Sequence, residues 1–106
     1  MVTVLQFKKA ALGLAGSTEE PHFEKTSFRI RKKIFATLDV KAARACIKLN
    51  ETDQSVFCLD KAVYPVPNKW GKQGWTFIEL KTVHKDLCMD ALQTAYNTVA
   101  GKQRQS

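Results

Sequence analysis

From Ser27 to Leu38 the sequence alternates, with Phe28 and Ile30 on one side of an extended chain and Arg29 and Arg31 on the other. A period of two is the repeat of a strand, whose successive side chains point to opposite faces. The segment reads as a hairpin whose turn lies near Arg31 to Lys33 and whose return strand is Ile34 to Leu38. A third strand follows at Ala43 to Leu49, where Ala45, Ile47 and Leu49 alternate with Arg44, Cys46 and Lys48. Because the basic residues share the face opposite the apolar ones, these strands need an apolar layer on one side and accept water on the other.

Two helices can supply that layer. Val4, Phe7, Ala11 and Leu14 recur at helical spacing and predict a first helix over about Val4 to Leu14. Thr3 and Gln6 form a capping box ahead of it, with Val2 placed to staple onto Phe7. Gly13 and Gly16 provide the exit, and Ser17 to Glu20 with Pro21 reads as a loop. The last helix, about Lys85 to Ala100, shows Cys88, Ala91, Leu92, Ala95, Tyr96 and Val99 at spacings of three and four.

Between them a short helix is expected at Glu51 to Leu59, capped by Asn50 and offering Val56 and Leu59 to the core. Pro65 and Pro67 should stop any regular element there, and NKWGKQG should be turns. Trp75 to Leu80 reads as a strand with apolar residues on both sides, so its facing is ambiguous. The expected fold is α+β: a two-layer sandwich, an antiparallel sheet with the N- and C-terminal helices on one face and an open face carrying the charges.

A chain of 106 residues supports one core. Residues 1–100 read as a single domain and Gly101 to Ser106 as a frayed tail. The apolar stretch Val2 to Ala15 is broken by Gln6, Lys8 and Lys9 and has no basic residues ahead of it, so neither a signal peptide nor a membrane span is expected, and the protein reads as cytoplasmic. Cys46, Cys58 and Cys88 are odd in number and far apart, which speaks for reduced thiols in a core rather than a disulfide framework or a zinc site.

The net charge of +7 is local. Of 17 basic and 10 acidic residues, eight basic residues and one acid lie between Lys25 and Lys48, leaving nine of each elsewhere. Arg29, Arg31, Lys32, Lys33, Arg44 and Lys48 form the first candidate site, because residues two apart on a strand stand about 7 Å apart, close to the phosphate spacing along one nucleic-acid strand. A solvated face that only keeps an open sheet soluble is the competing reading. The second candidate is NKWGKQGW, where Lys69 and Lys72 flank Trp70, a ring able to stack on a base; Trp75, opening a strand, reads as core.

His22 with Glu24, and His84 with Asp86, read as exposed loop pairs, since a metal or acid–base site needs three or four converging groups. No cofactor, metal or catalytic residue is expected, and no nucleophile, base and orienting group can be assembled into an enzyme.

The stretch SFRIRKKIFATL, the Gly74–Trp75 pair opening a strand, and the terminal DALQTAYNTVA together resemble the MmcQ/YjbR family, in order and spacing across nearly the whole chain. The resemblance implies a frataxin-like (CyaY-like) sandwich and DNA binding through a double-wing arrangement. Phe28, Arg29, Lys33, Ile34, Phe35, Gly74 and Trp75 occupy positions of the family's pattern. Lys32 departs from it, standing where family members commonly place a glycine, so a wider and more basic hairpin tip is expected. The iron handling of frataxins rests on an acidic first helix, whereas this one carries Lys8 and Lys9. The leading expectation is DNA binding through Arg29, Arg31, Lys32, Lys33, Arg44, Lys48, Lys69, Trp70 and Lys72; the alternative is a protein-interaction domain whose basic face meets an acidic partner. The alternative role for Arg29 is a structural ion pair with Glu20, Glu24 or Glu79 across the sheet.

Overall fold

The computed structural model describes residues 1–101; the expectation of a frayed tail falls, from residue 102 onward, outside the described residues. The elements in chain order are α1 (Val4–Leu12), β1 (Ser17–His22), β2 (Lys25–Ile30), β3 (Lys33–Asp39), β4 (Arg44–Lys48), α2 (Glu51–Phe57), β5 (Val63–Pro65), α3 (Lys69–Lys72), β6 (Trp75–Glu79) and α4 (Lys85–Ala100). The strands form one six-stranded sheet in the order β1-β2-β3-β4-β6-β5, and every neighbouring pair is antiparallel. Helices α1 and α4 cover one face, where the Phe7 ring meets the edge of Phe28 at 6.1 Å and Tyr96 meets Phe35 at 5.5 Å. The α+β sandwich is therefore the fold read from the sequence.

The capping box forms in full: Thr3 N–H donates to Gln6 Oε1 at 2.9 Å, and Gln6 N–H donates to Thr3 Oγ1 at 3.0 Å. Both Val2 and Phe7 are buried, and Val2 N–H donates to the Leu80 carbonyl at 2.8 Å, tying the entry of α1 to the end of β6. Helix α4 ends at Gly101 with φ of 73°, a left-handed cap. The Tyr96 hydroxyl donates to the Ala15 carbonyl, fastening α4 to the segment that leaves α1. Phe7, Phe28 and Phe35 are fully buried, and truncating any one to alanine costs about 3–5 kcal/mol.

A bulge in β3 sets which residues reach the open face. Phe28 pairs with Ala36 but Arg29 pairs with Ile34, so Phe35 is an extra residue and both Phe35 and Ala36 enter the core. Ile34 thereby shares the open face with Arg29, where strict alternation from Leu38 would have turned it inward.

Several expectations need correction. Ser17 to Pro21 is not a loop but belongs to the edge strand β1, which buries none of its residues, so no apolar alternation marks it in the sequence. Val63 to Pro65 forms the other edge strand, where a proline is tolerated because no further strand needs its missing N–H. The NKWGKQG segment contains the single turn α3. In α2, Asn50 is the cap as read, accepting from Asp53 N–H at 2.7 Å, but Val56 and Leu59 are exposed at 57% and 86%. The residues turned in are Phe57, which packs against the core, and Gln54, whose amide donates to the Gly71 and Trp75 carbonyls and to Thr76 Oγ1 at 2.9, 3.3 and 3.0 Å. Of the thiols, Cys88 is core and Cys58 is partly buried against it, whereas Cys46 is partly buried on the open face.

The hairpin tip is tight rather than wide. Ile30 pairs with Lys33, leaving a two-residue loop in which Arg31 and Lys32 both take positive φ, 53° and 69°. That is the turn whose twist suits an antiparallel pair, and lysine holds it against the left-handed penalty of its Cβ. Lys32→Gly is expected to raise stability by about 0.5–1 kcal/mol, read as a higher urea midpoint at unchanged m-value; an unchanged midpoint would mean the turn carries no strain.

Candidate nucleic-acid interface

The register sorts the strand residues into two faces. Thr76 and Ile78 of β6, and Leu80 just beyond it, are buried on the helix side, so Trp75, Phe77 and Glu79 lie on the open side, opposite Lys48, Cys46 and Arg44 of β4. Trp75 is thus not the core residue the sequence suggested. The open face also carries Glu20 of β1, Lys25 and Arg29 of β2, and Asp39 of β3. Its four cations, Lys25, Arg29, Arg44 and Lys48, are set against three carboxylates, so it is not the basic plate that alternation alone implied.

Two of those cations are spoken for. Arg29 donates from Nε to Ser27 Oγ at 3.1 Å and stands 3.8 Å from the Glu20 carboxylate. Arg44 Nε donates to Glu79 Oε2 at 2.8 Å, and its guanidinium lies 5.1 Å above the centre of the Phe77 ring. The Tyr64 hydroxyl donates to the same Glu79 oxygen. The tyrosine hydrogen bond and the arginine beside it hold the Glu79 carboxyl below its usual range, and the carboxylate in turn raises both Arg44 and Tyr64.

Lys25 stands at one end of the sheet, beside the β1–β2 turn, whereas six other cations gather at the opposite end. The β2–β3 tip, the end of β4 and the start of β6 lie together there, because Ile30 pairs with Lys33 and Lys48 pairs with Trp75. That end carries Arg31, Lys32 and Lys33 on the tip, Lys48 on β4, and Lys69 and Lys72 on α3 just ahead of β6. None of the six forms an ion pair among the described residues. Arg31 donates to the Ala100 carbonyl at 3.3 Å and Lys48 to the Gln73 carbonyl, contacts that fix side chains without cancelling charge. The Lys48 ammonium lies 5.5 Å from the centre of the Trp75 ring.

Beside this basic end the open face holds a cavity of about 560 Å³. Its floor is Ile34, Thr37, Cys46, Trp75 and Phe77, with Val66 and Trp70 on one margin and Phe23 and Lys25 on the other. Burial pushes the Cys46 thiol up to about 11, so the floor is uncharged at neutral pH. The loop bearing Trp70 is held close by two glycines. A Cβ on Gly71 would run into the Val66 carbonyl, and one on Gly74, at φ of 105°, into the Leu49 carbonyl.

Of the residues singled out in the sequence, Arg31, Lys32, Lys33, Lys48, Lys69 and Lys72 are brought to this end and Trp70 to the cavity margin, whereas Arg29 and Arg44 stand in ion pairs. Phe23, Val66 and Phe77 of the cavity carry no signal in the sequence, because a cavity is made by segments whose juxtaposition only the sheet order reveals. The His22–Glu24 and His84–Asp86 pairs do not come together with other ligands: no group of three or more His, Cys, Asp or Glu fit to hold a metal ion occurs among the described residues. No helix among them is long and apolar enough to cross a membrane.

A family model described as YjbR matches residues 12–98. The crystal structure of Deinococcus radiodurans protein DR2400, which carries the family-model domain DUF419, is similar with a TM-score of 0.82 at 20% identity, over 100% of this chain and 84% of that one. No curated protein sequence matches the chain.

Glu79→Gln should lower stability by roughly 0.5–1 kcal/mol near neutral pH, since the pair is partly exposed. The sign follows from the lowered carboxyl: its contribution is complete above the ordinary carboxylate range and is lost as pH falls through the folded value. The gap between wild type and Glu79→Gln in urea unfolding should therefore begin to narrow as pH falls below the ordinary carboxylate value of about 4.3 and close below the lowered folded value; a gap that keeps its neutral-pH size throughout would mean packing rather than charge.

Proposed function

The chain belongs to the YjbR family, and on that premise we propose that it is a nucleic-acid-binding module that holds DNA phosphates on the basic end of its sheet and carries out no reaction on them. One observation carries this reading: Arg31, Lys32, Lys33, Lys48, Lys69 and Lys72, from three separate segments, are brought to the same end without a carboxylate partner among the described residues. Unpaired cations cost little where water reaches them, and each one that meets a phosphate releases a condensed counterion. Arg29 and Arg44 are set apart from this group, because Glu20 and Glu79 already balance them.

The charge-matched pairs make the prediction sharper. With about four to six phosphate contacts, the logarithm of duplex affinity should fall against log salt with a slope of roughly −4 to −5. Lys32→Ala with Lys33→Ala should flatten that slope by about two, whereas Arg29→Ala should leave it unchanged. Fluorescence anisotropy of a labelled random duplex across a salt series reads both. An unchanged slope in the double variant removes the hairpin tip from the interface. Binding to polyglutamate with none to DNA at low salt would move the assignment to an acidic protein partner.

A further inference from the structure

The cavity on the open face is not needed to hold phosphate, and its composition points elsewhere. Its lining is mostly apolar: Ile34, Cys46, Val66, Trp75 and Phe77 between Phe23 and Trp70. Two of its rings are open to water, Trp70 at 50% and Phe23 at 94% exposure. Phe23 sits in the β1–β2 turn at φ of 59°, a conformation costly for a bulky side chain and one that leaves the ring in solvent instead of in the core. Core packing accounts for neither ring.

The volume, about 560 Å³, falls within the roughly 300–1,000 Å³ of small-ligand sites. Flat faces at its margins and floor suit a flat, aromatic, weakly polar group. The charges around it choose among such groups. Lys25 and Arg44 line it together with one carboxylate, Asp39; Lys48 stands over the Trp75 ring on its floor, and Lys69 and Lys72 flank Trp70 on the same short helix. Five cations thus stand in or beside the cavity against Asp39 inside it and Glu79, which pairs with Arg44, so the cationic surplus lies on the Lys48, Lys69 and Lys72 side and the matching ligand is a ring joined to a chain of anions.

Resting on the nucleic-acid reading above, we infer that the cavity takes an unstacked nucleobase, so that this protein binds single-stranded nucleic acid with a base between Trp70 and the Trp75–Phe77 floor and the flanking phosphates on Lys48, Lys69 and Lys72. A duplex keeps its bases stacked and reaches only the basic end. Stacking on aromatic side chains tolerates any base, because every base has a π-face, so sequence preference is weak. The neutral Cys46 thiol adds no charge that would repel the strand.

The test titrates the protein with a short oligothymidylate and, separately, with a random duplex of equal length, reading anisotropy and tryptophan fluorescence. The single strand should bind more tightly than the duplex and quench the tryptophans. Trp70→Ala should lose about tenfold or more in single-strand affinity and change duplex affinity little, with Trp70→Phe restoring most of the loss. Phe23→Ala, at the opposite margin and on a side chain almost wholly in water, serves as the second variant and should weaken the single strand alone. Duplex binding with a single-strand affinity indifferent to both substitutions overturns the inference and leaves the nucleic-acid reading standing. Failure of both ligands to bind at low salt overturns the two together.

Discussion

The sheet is covered on one side only, and most of the molecule's remaining features answer to that. Six antiparallel strands with α1 and α4 on a single face leave a second face and two edges that must meet water without recruiting another sheet. The edges are closed by chemistry: β1 carries Pro21 and β5 carries Pro65, each lacking the N–H that a further strand would need. The face is closed by pairing charge with charge, Arg29 with Glu20 and Arg44 with Glu79, and by laying Arg44 and Lys48 over the Phe77 and Trp75 rings. The cations over those two rings cover part of the aromatic surface that would otherwise invite association.

The same pairing gives the net charge a direction. Cations with a carboxylate neighbour contribute little to the field at a distance, whereas among the described residues the six at the hairpin tip, the end of β4 and α3 form no ion pair and add their charge to one end of the sheet. A polyanion approaching that end meets the margin of an apolar cavity immediately beside it. Gln54 and the glycines at 71 and 74 keep that margin in place by binding the 66–75 segment to α2, β4 and β6. The likeness to the Deinococcus radiodurans structure concerns the scaffold, and the ligand is argued from the side chains of this chain.

Much of the scaffold was legible in the residues. Capping by Thr3 and Gln6, the period of two in β2, and the spacing of apolar residues in α4 are local signals, and each forms where it was read. What could not be read depended on partners distant in sequence. Edge strand β1 has no buried side to impose alternation, and α2 turns Gln54 inward rather than Val56 because three carbonyl and hydroxyl oxygens of the 71–76 region wait there. Trp75 was misplaced because β6 is apolar on both faces, so period alone could not tell covered from open. Pattern showed which side of a strand Arg29 and Arg44 occupy; only register showed that Glu20 and Glu79 lie beside them.

Residue-resolved NMR would locate the ligand without any substitution. In amide and indole spectra recorded while oligothymidylate is added to the labelled protein, shifts should concentrate at Lys32, Lys33, Lys48 and the 69–77 segment, with the indole signals of Trp70 and Trp75 moving furthest and the outer residues of α1 and α4 still. Shifts confined to the helical layer, or spread evenly over the surface, would contradict an interface on the open face of the sheet.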